Sequence, residues 1–184
     1  MIPLHLDPAH ARTALIGRDA LALRRLAWLR DAGASPDVWS DEPSAAFAAQ
    51  AAVNLERRLP HAADLATYHA IWIADLPEEI VAELAAAARA AHVLVNVEDV
   101  VALCDFHTPA VVRRGKLTLS VGTGGASPAV ARAARERLEA TFPETWTHAL
   151  DEIARARIVL RAKGAQFDAL VNDARDRLAA HELI

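Results

Sequence analysis

Asp99 is the residue in this sequence best placed to move a proton. It follows a short apolar run, His92–Asn96, that reads as a buried strand. The carboxyl end of such a strand is where open α/β sheets put their chemistry. A carboxylate there can act as a general base, or it can simply cap a loop. Glu98 and Asp105 lie close by in sequence, and a cluster of carboxylates would raise the pKa of one of them. Further on, Gly122-Thr123-Gly124-Gly125-Ala126-Ser127-Pro128 forms a glycine-rich turn ahead of an Ala/Arg-rich stretch. Ser127 is a good N-cap and Pro128 suits the first helical position. A helix start of this kind can hold an anion on its free amides. The expectation is an acid opposed to an anion-binding turn. Thr123, Gly124, Gly125 and Ser127 are the candidate anion contacts, and Arg113, Arg114, Lys116 and Arg132 are candidate partners for further carboxylates.

Other chemistries find little support. Cys104 is the only cysteine, which rules out an internal disulfide or a cysteine-rich zinc site. The eight histidines show no helical pair at metal-ligand spacing, so no dedicated metal site is expected. Ser127 has no evident base partner, which argues against nucleophilic catalysis. The four tryptophans sit at core-like spacings.

The elements that position these residues read as a nucleotide-binding α/β unit. Thr13–Ile16 is a short strand ending at Gly17, followed by a helical pattern through Leu21, Leu26 and Leu29 with Gly33 as its stop. Asp37–Ser40 is a second strand, followed by Asp41 and Glu42, where an acid often holds a ribose hydroxyl. Leu55–Leu59 reads as a short edge strand or part of a helix. His69–Ala74 is a buried strand, and Asp75 is expected to cap the helix that starts near Pro77. Thr108–Val121 suggests a hairpin or crossover. Helices follow over 127–141, from Pro143 to near Gly164, and over 165–180.

The segments NVEDVVALCDF and TPAVVRRGKLTLSVGTGGASPAVAR resemble the signature region of the siroheme synthase amino-terminal module family, the precorrin-2 dehydrogenases and sirohydrochlorin ferrochelatases. The resemblance implies a Rossmann-like parallel sheet over residues 1–105, a dimerisation segment exchanged between subunits over 106–142, and a helical tail over 143–184. It also implies NAD as cofactor, an eight-carboxylate tetrapyrrole as substrate, and ferrous iron or another divalent metal as a second substrate. Asp99 becomes the group that takes ring protons during oxidation or metal insertion. Gly17, Ala20, Leu21, Asp41 and Glu42 become the cofactor positions. The family usually carries three consecutive glycines after the first strand; here they align with Gly17, Arg18 and Asp19. Arg18 adds bulk where backbone should face phosphate, and Asp19 adds a negative charge at the helix start. Asp75-Leu76 stands where the family has a polar pair beside the nucleotide. These departures predict weak or absent NAD binding. They leave a NAD-independent chelatase or tetrapyrrole-binding protein, or a non-catalytic dimeric partner, as alternatives.

Charge supports an anionic substrate. The formal net charge is −4, but residues 1–107 hold 8 basic against 15 acidic side chains, and residues 108–184 hold 12 against 9. The basic excess is too small, and too poor in interleaved aromatics, for nucleic acid. No apolar run reaches the roughly 20 residues of a membrane span, and MIPLHLDPAH lacks the pattern of a signal peptide. A cytoplasmic homodimer is the expectation.

Overall fold

A computed structural model describes residues 2–184 and divides the chain into two compact units, Met1–Thr108 and Pro109–Ile184. The first unit contains a five-stranded, all-parallel sheet. Its strands are β1 (Thr13–Gly17), β2 (Asp37–Trp39), β3 (Leu55–Glu56), β4 (Ala70–Ala74) and β5 (Leu94–Val97), in the order β3-β2-β1-β4-β5. This is the Rossmann-like parallel sheet expected from the sequence. The strand order reverses between β1 and β4, and their carboxyl ends flank the crevice that such sheets use for ligands.

The alternation of side chains explains why the sheet is covered on both faces. Ala14 and Ile16 of β1, with Ile71 and Ile73 of β4, face Val81, Leu84, Ala85 and Ala88 of helix α4 (Glu78–Ala90). Leu15, with Trp72, faces the other way, toward Ala22, Leu26 and Leu29 of α1 (Ala20–Asp31) and Phe47 of α2 (Ala45–Ala51). Each large aliphatic or aromatic side chain buried in this way contributes about 1.5–3 kcal/mol. Helix α2, which the sequence analysis leaves unassigned, is capped by Ser44, whose Oγ accepts from the Phe47 amide at 3.3 Å. A single turn, α3 (Ala62–Leu65), adds Leu65 to the α4 side of the core.

Several boundaries move for local reasons. His92 adopts a left-handed φ of 60° and closes α4, with the Val93 amide bonded back to Ala88 O, so β5 starts at Leu94 rather than His92. Asp75 does not cap α4. The N-cap there is Pro77, and Asp75 turns toward α1 instead. The edge strand β3 is only two residues long, which limits the unpaired backbone it presents.

The second unit is a hairpin with three helices. β6 (Ala110–Arg114) pairs antiparallel with β7 (Leu117–Val121), and Gly115 takes the φ of 57° needed at the tip. α5 (Pro128–Thr141), α6 (Thr145–Ala162) and α7 (Phe167–Ala180) follow, the last starting at Phe167 rather than Ala165. Arg114 ties the hairpin to the end of α5: its guanidinium donates to Phe142 O at 2.6 Å and Glu139 O at 3.4 Å, and pairs with Glu144 at 3.2 Å. Glu152 on α6 receives both Arg177 and His181 of α7. Among the described residues no helix is long and apolar enough to cross a membrane.

A buried chain of hydrogen bonds joins β2 to the entry of β4. Trp39 Nε1 donates to Tyr68 Oη at 3.0 Å, and Tyr68 Oη donates to Asp37 Oδ2 at 2.9 Å. Burial pushes the Tyr68 phenol up to about 12 from 10.0. A pKa raised in the folded state favours the protonated form, so this contribution is complete below pH 10 and is lost as pH rises through about 12. Chemical unfolding followed at a series of pH values should therefore show stability falling between pH 10 and 12. Tyr68→Phe should flatten that decline while lowering stability at pH 7 by about 1–3 kcal/mol, because the Trp39 N–H loses its buried acceptor.

Candidate functional site

In the first unit, the candidate residues lie at the carboxyl ends of β1, β2 and β5 and at the start of α1. Gly17 ends β1. A Cβ on it would lie 2.6 Å from both Ala22 Cβ and Ala74 O, so only glycine lets β1, α1 and β4 approach this closely. Arg18 follows and folds back over the strand ends. Its guanidinium grips both oxygens of Asp41, at 2.8 and 2.7 Å, and lies 3.7 Å from Glu42. The hydrogen bonds from Arg18 hold the Asp41 carboxyl below its ordinary range, and Asp41 in turn raises Arg18. Arg18 O also accepts from the Ser44 amide at 2.7 Å, so the loops after β1 and β2 are stitched together.

Asp75 comes from the end of β4, with φ of 57°. Its Oδ2 accepts from the Ala22 amide, in the first turn of α1, at 2.9 Å. Asp19, at the N-cap position of α1, makes no side-chain cap. Asp75 therefore caps a helix that is 53 residues away in sequence. Ala20 is exposed and Leu21 is half-buried against the α1 side of the core.

These residues do not make a dinucleotide cradle. Of the three jobs glycine performs in such a loop, the structure retains close helix–strand packing at Gly17. One first-turn amide of α1, that of Ala22, already holds the Asp75 carboxylate, and both oxygens of the ribose-side acid Asp41 bond to Arg18.

Asp99 stands just beyond β5. The ladder continues one residue past the strand, with Glu98 N donating to Ile73 O at 2.9 Å. Asp99 then takes a left-handed φ of 62° and is exposed. Its carboxylate has no hydrogen bond or ion pair among the described residues. The neighbouring acids differ. Glu98 is 13% exposed and is held by Arg24 at 3.0 Å and by Arg25, whose guanidinium lies over the Trp28 ring. Asp105 accepts from the Val95 amide at 3.0 Å and from Arg89 Nε at 2.8 Å. The expected carboxylate cluster is thus not assembled: Glu98 and Asp105 are separately ion-paired, and Asp99 alone is uncommitted. Cys104 packs against the end of β5, its Sγ donating to Val97 O at 3.2 Å, and burial pushes its thiol up.

In the second unit the turn forms as expected. Gly124 and Gly125 have φ of 65° and 83°, Ala126 N bonds to Thr123 O at 3.1 Å, and Ser127 Oγ accepts from Val130 N at 3.3 Å. Thr123 Oγ1 closes the turn by donating to Ser127 O at 3.3 Å. Arg114 is committed to the carbonyls at the end of α5, whereas Arg113 alternates to the other side of β6. Among the described residues no three His, Cys, Asp or Glu side chains are gathered as a metal site.

Sequence reasoning missed the Asp75–α1 cap and the Arg18–Asp41 pair. A signal for the second was present: a basic residue after one strand and an acid after its parallel neighbour are delivered to the same edge.

Comparison with known proteins places these features. Residues 4–110 match the model of a family described as "Putative NAD(P)-binding". The chain is 33% identical over 148 residues to a siroheme synthase of Methylococcus capsulatus, covering 79% of this chain and 31% of that protein. It is 34% identical over 161 residues to a siroheme synthase of Pseudomonas putida, covering 85% and 34%. It thus spans about a third of the length of these relatives. Its fold is similar to that of SirC, a precorrin-2 dehydrogenase, over the whole of both chains, with a TM-score of 0.70 at 20% identity. The chain belongs to this NAD(P)-binding family, and the siroheme synthases are among its relatives.

Proposed function

We propose that this chain acts in siroheme biosynthesis on a polycarboxylated tetrapyrrole, as a module of the precorrin-2 dehydrogenase and sirohydrochlorin ferrochelatase type. Asp99 is its proton acceptor. The observation that carries this reading is the contrast among three neighbouring acids: two are ion-paired and one, in a left-handed conformation at a strand end, is not. Unusual backbone held at a strand end with an uncommitted polar group is a mark of a working site. The siroheme synthase relatives supply the substrate class.

The chemistry that Asp99 can support alone is metal insertion. As a divalent metal such as ferrous iron enters the ring, two pyrrole N–H protons must leave. An exposed carboxylate can accept one and return it to water before accepting the next. Oxidation of the ring needs a hydride acceptor as well, and the strand ends described above do not fit a dinucleotide. The Gly124–Gly125 turn and Arg113 are the proposed contacts for substrate carboxylates. Arg114 is left out, because its guanidinium is already used within the fold.

Spectroscopic titration with sirohydrochlorin, then with ferrous or cobaltous ion, tests the assignment. Asp99→Asn keeps a side chain that tolerates the left-handed backbone and removes the basic oxygen. It should leave stability within about 1 kcal/mol of wild type and slow metal insertion about 100-fold or more. A folded variant that inserts metal at the wild-type rate would show that Asp99 has no such role, and a wild type that inserts no metal would favour a non-catalytic partner.

Tetrapyrrole binding should weaken as salt rises, since charge pairs at an open surface are screened. Arg113→Glu should weaken it about tenfold, a loss of roughly 1.4 kcal/mol. Binding that ignores both salt and the reversal argues against the carboxylate contacts.

A homodimer formed through residues 106–142 completes the proposal. The β6–β7 sheet has only two strands, and Val130 on α5 is 59% exposed. Light scattering should give twice the 19.8 kDa of the chain at micromolar concentration, and a monomer there would overturn the dimer.

A further inference from the structure

We propose that the dinucleotide position of this module is filled by its own Asp75 and closed by the Arg18–Asp41 pair, so that the chain works without NAD(P). Three observations converge on this. First, a pyrophosphate bound at a Rossmann-like crevice needs unoccupied amides at the start of the helix after β1. Here the Asp75 carboxylate accepts from the Ala22 amide at 2.9 Å, reaching across from the adjacent strand end. A carboxylate in that place makes the hydrogen bond that a phosphate oxygen would make, and it carries the same sign of charge. Asp75 is held there by its own backbone, whose left-handed φ of 57° follows directly from the end of β4.

Second, the loop that should pass close under the phosphates carries Arg18, whose side chain is only 20% exposed and lies on Asp41 with two hydrogen bonds. A bidentate arginine–carboxylate pair is among the stronger ion pairs available to a protein. Both oxygens that would receive ribose hydroxyls are engaged. The Ser44 N–H to Arg18 O bond fastens the same loop to the start of α2. Third, the loops that follow β1, β2 and β4 carry Asp19, Asp41, Glu42 and Asp75 against one basic residue, Arg18. A dinucleotide pyrophosphate would meet a net negative surface at the point where it needs a positive one.

Together with the reading in Proposed function, this sets the chain's place in a reaction sequence. A module that cannot accept a hydride must receive a ring that a separate hydride-removing reaction has already oxidised. What remains to it is the exchange of ring protons for a metal.

The test is calorimetric titration of the full chain with NAD and with NADP. Wild type should show no saturable binding below about 1 mM, whereas Arg18→Gly/Asp75→Gly, which bares the loop and frees the Ala22 amide, should bind NAD at least about tenfold more tightly. Both replacements suit the backbone, because glycine tolerates the left-handed φ at position 75. Asp75→Asn keeps an acceptor for the Ala22 amide and removes only the charge. It serves if the double variant does not fold, with an expected gain of about threefold from lost repulsion. Wild-type dissociation constants below about 0.1 mM would overturn the proposal. So would folded variants that gain nothing. Sirohydrochlorin binding is measured separately on the same protein. If it fails, the substrate assignment falls, while the NAD titration still decides whether the crevice is closed.

Discussion

At Gly17 the end of β1, the first turn of α1 and the end of β4 meet with no room for a Cβ. Everything at the crevice depends on that contact. It brings the carboxyl end of β4 under the start of α1, which is why Asp75 can reach the Ala22 amide. The parallel pairing of β1 with β2 brings Arg18 and Asp41 out side by side. A larger residue at position 17 would push α1 away from the sheet and undo the Asp75 bond, at a cost of about 1–3 kcal/mol.

The strand ends are then an exercise in charge pairing. A parallel sheet sends every strand's carboxyl end to one edge, and in this chain those ends are rich in acids. Asp41 is paired with Arg18 and Glu98 with Arg24 and Arg25, Asp75 is hydrogen-bonded by a helix amide, and Asp105 is held by Arg89 beside Val95. Each pairing removes a carboxylate from the set available for chemistry. Asp99 is left over because its left-handed backbone carries it past the ladder into solvent. The pairs around β5 leave Asp99 uncommitted, and separate pairs engage Asp41 and Asp75 beside β1 and β4. In the proposed reading, a closed nucleotide position and an uncommitted proton acceptor both follow from how the acids at this edge are paired.

Much of this was readable from residue order alone. Short apolar runs ending in glycine or acid specify buried parallel strands, because both faces must be apolar when helices cover both. Ser127-Pro128 after paired glycines specifies a helix start, because cap chemistry and the left-handed turn are local, and the observed turn follows that reading. The Asn96–Arg137 signature pointed to the family whose model and fold the chain matches. The tertiary structure decided which polar groups are free. Arg114 looked like a substrate contact but is consumed by the carbonyls of Glu139 and Phe142. Asp75 looked like the cap of the helix that follows it but caps α1 instead. Asp41 looked like a ribose acid but belongs to Arg18. In each case the partner lies 23 or more residues away in sequence. Local sequence specifies a backbone conformation and a buried face. Whether a charged group is spent or spare depends on which distant element the fold sets beside it.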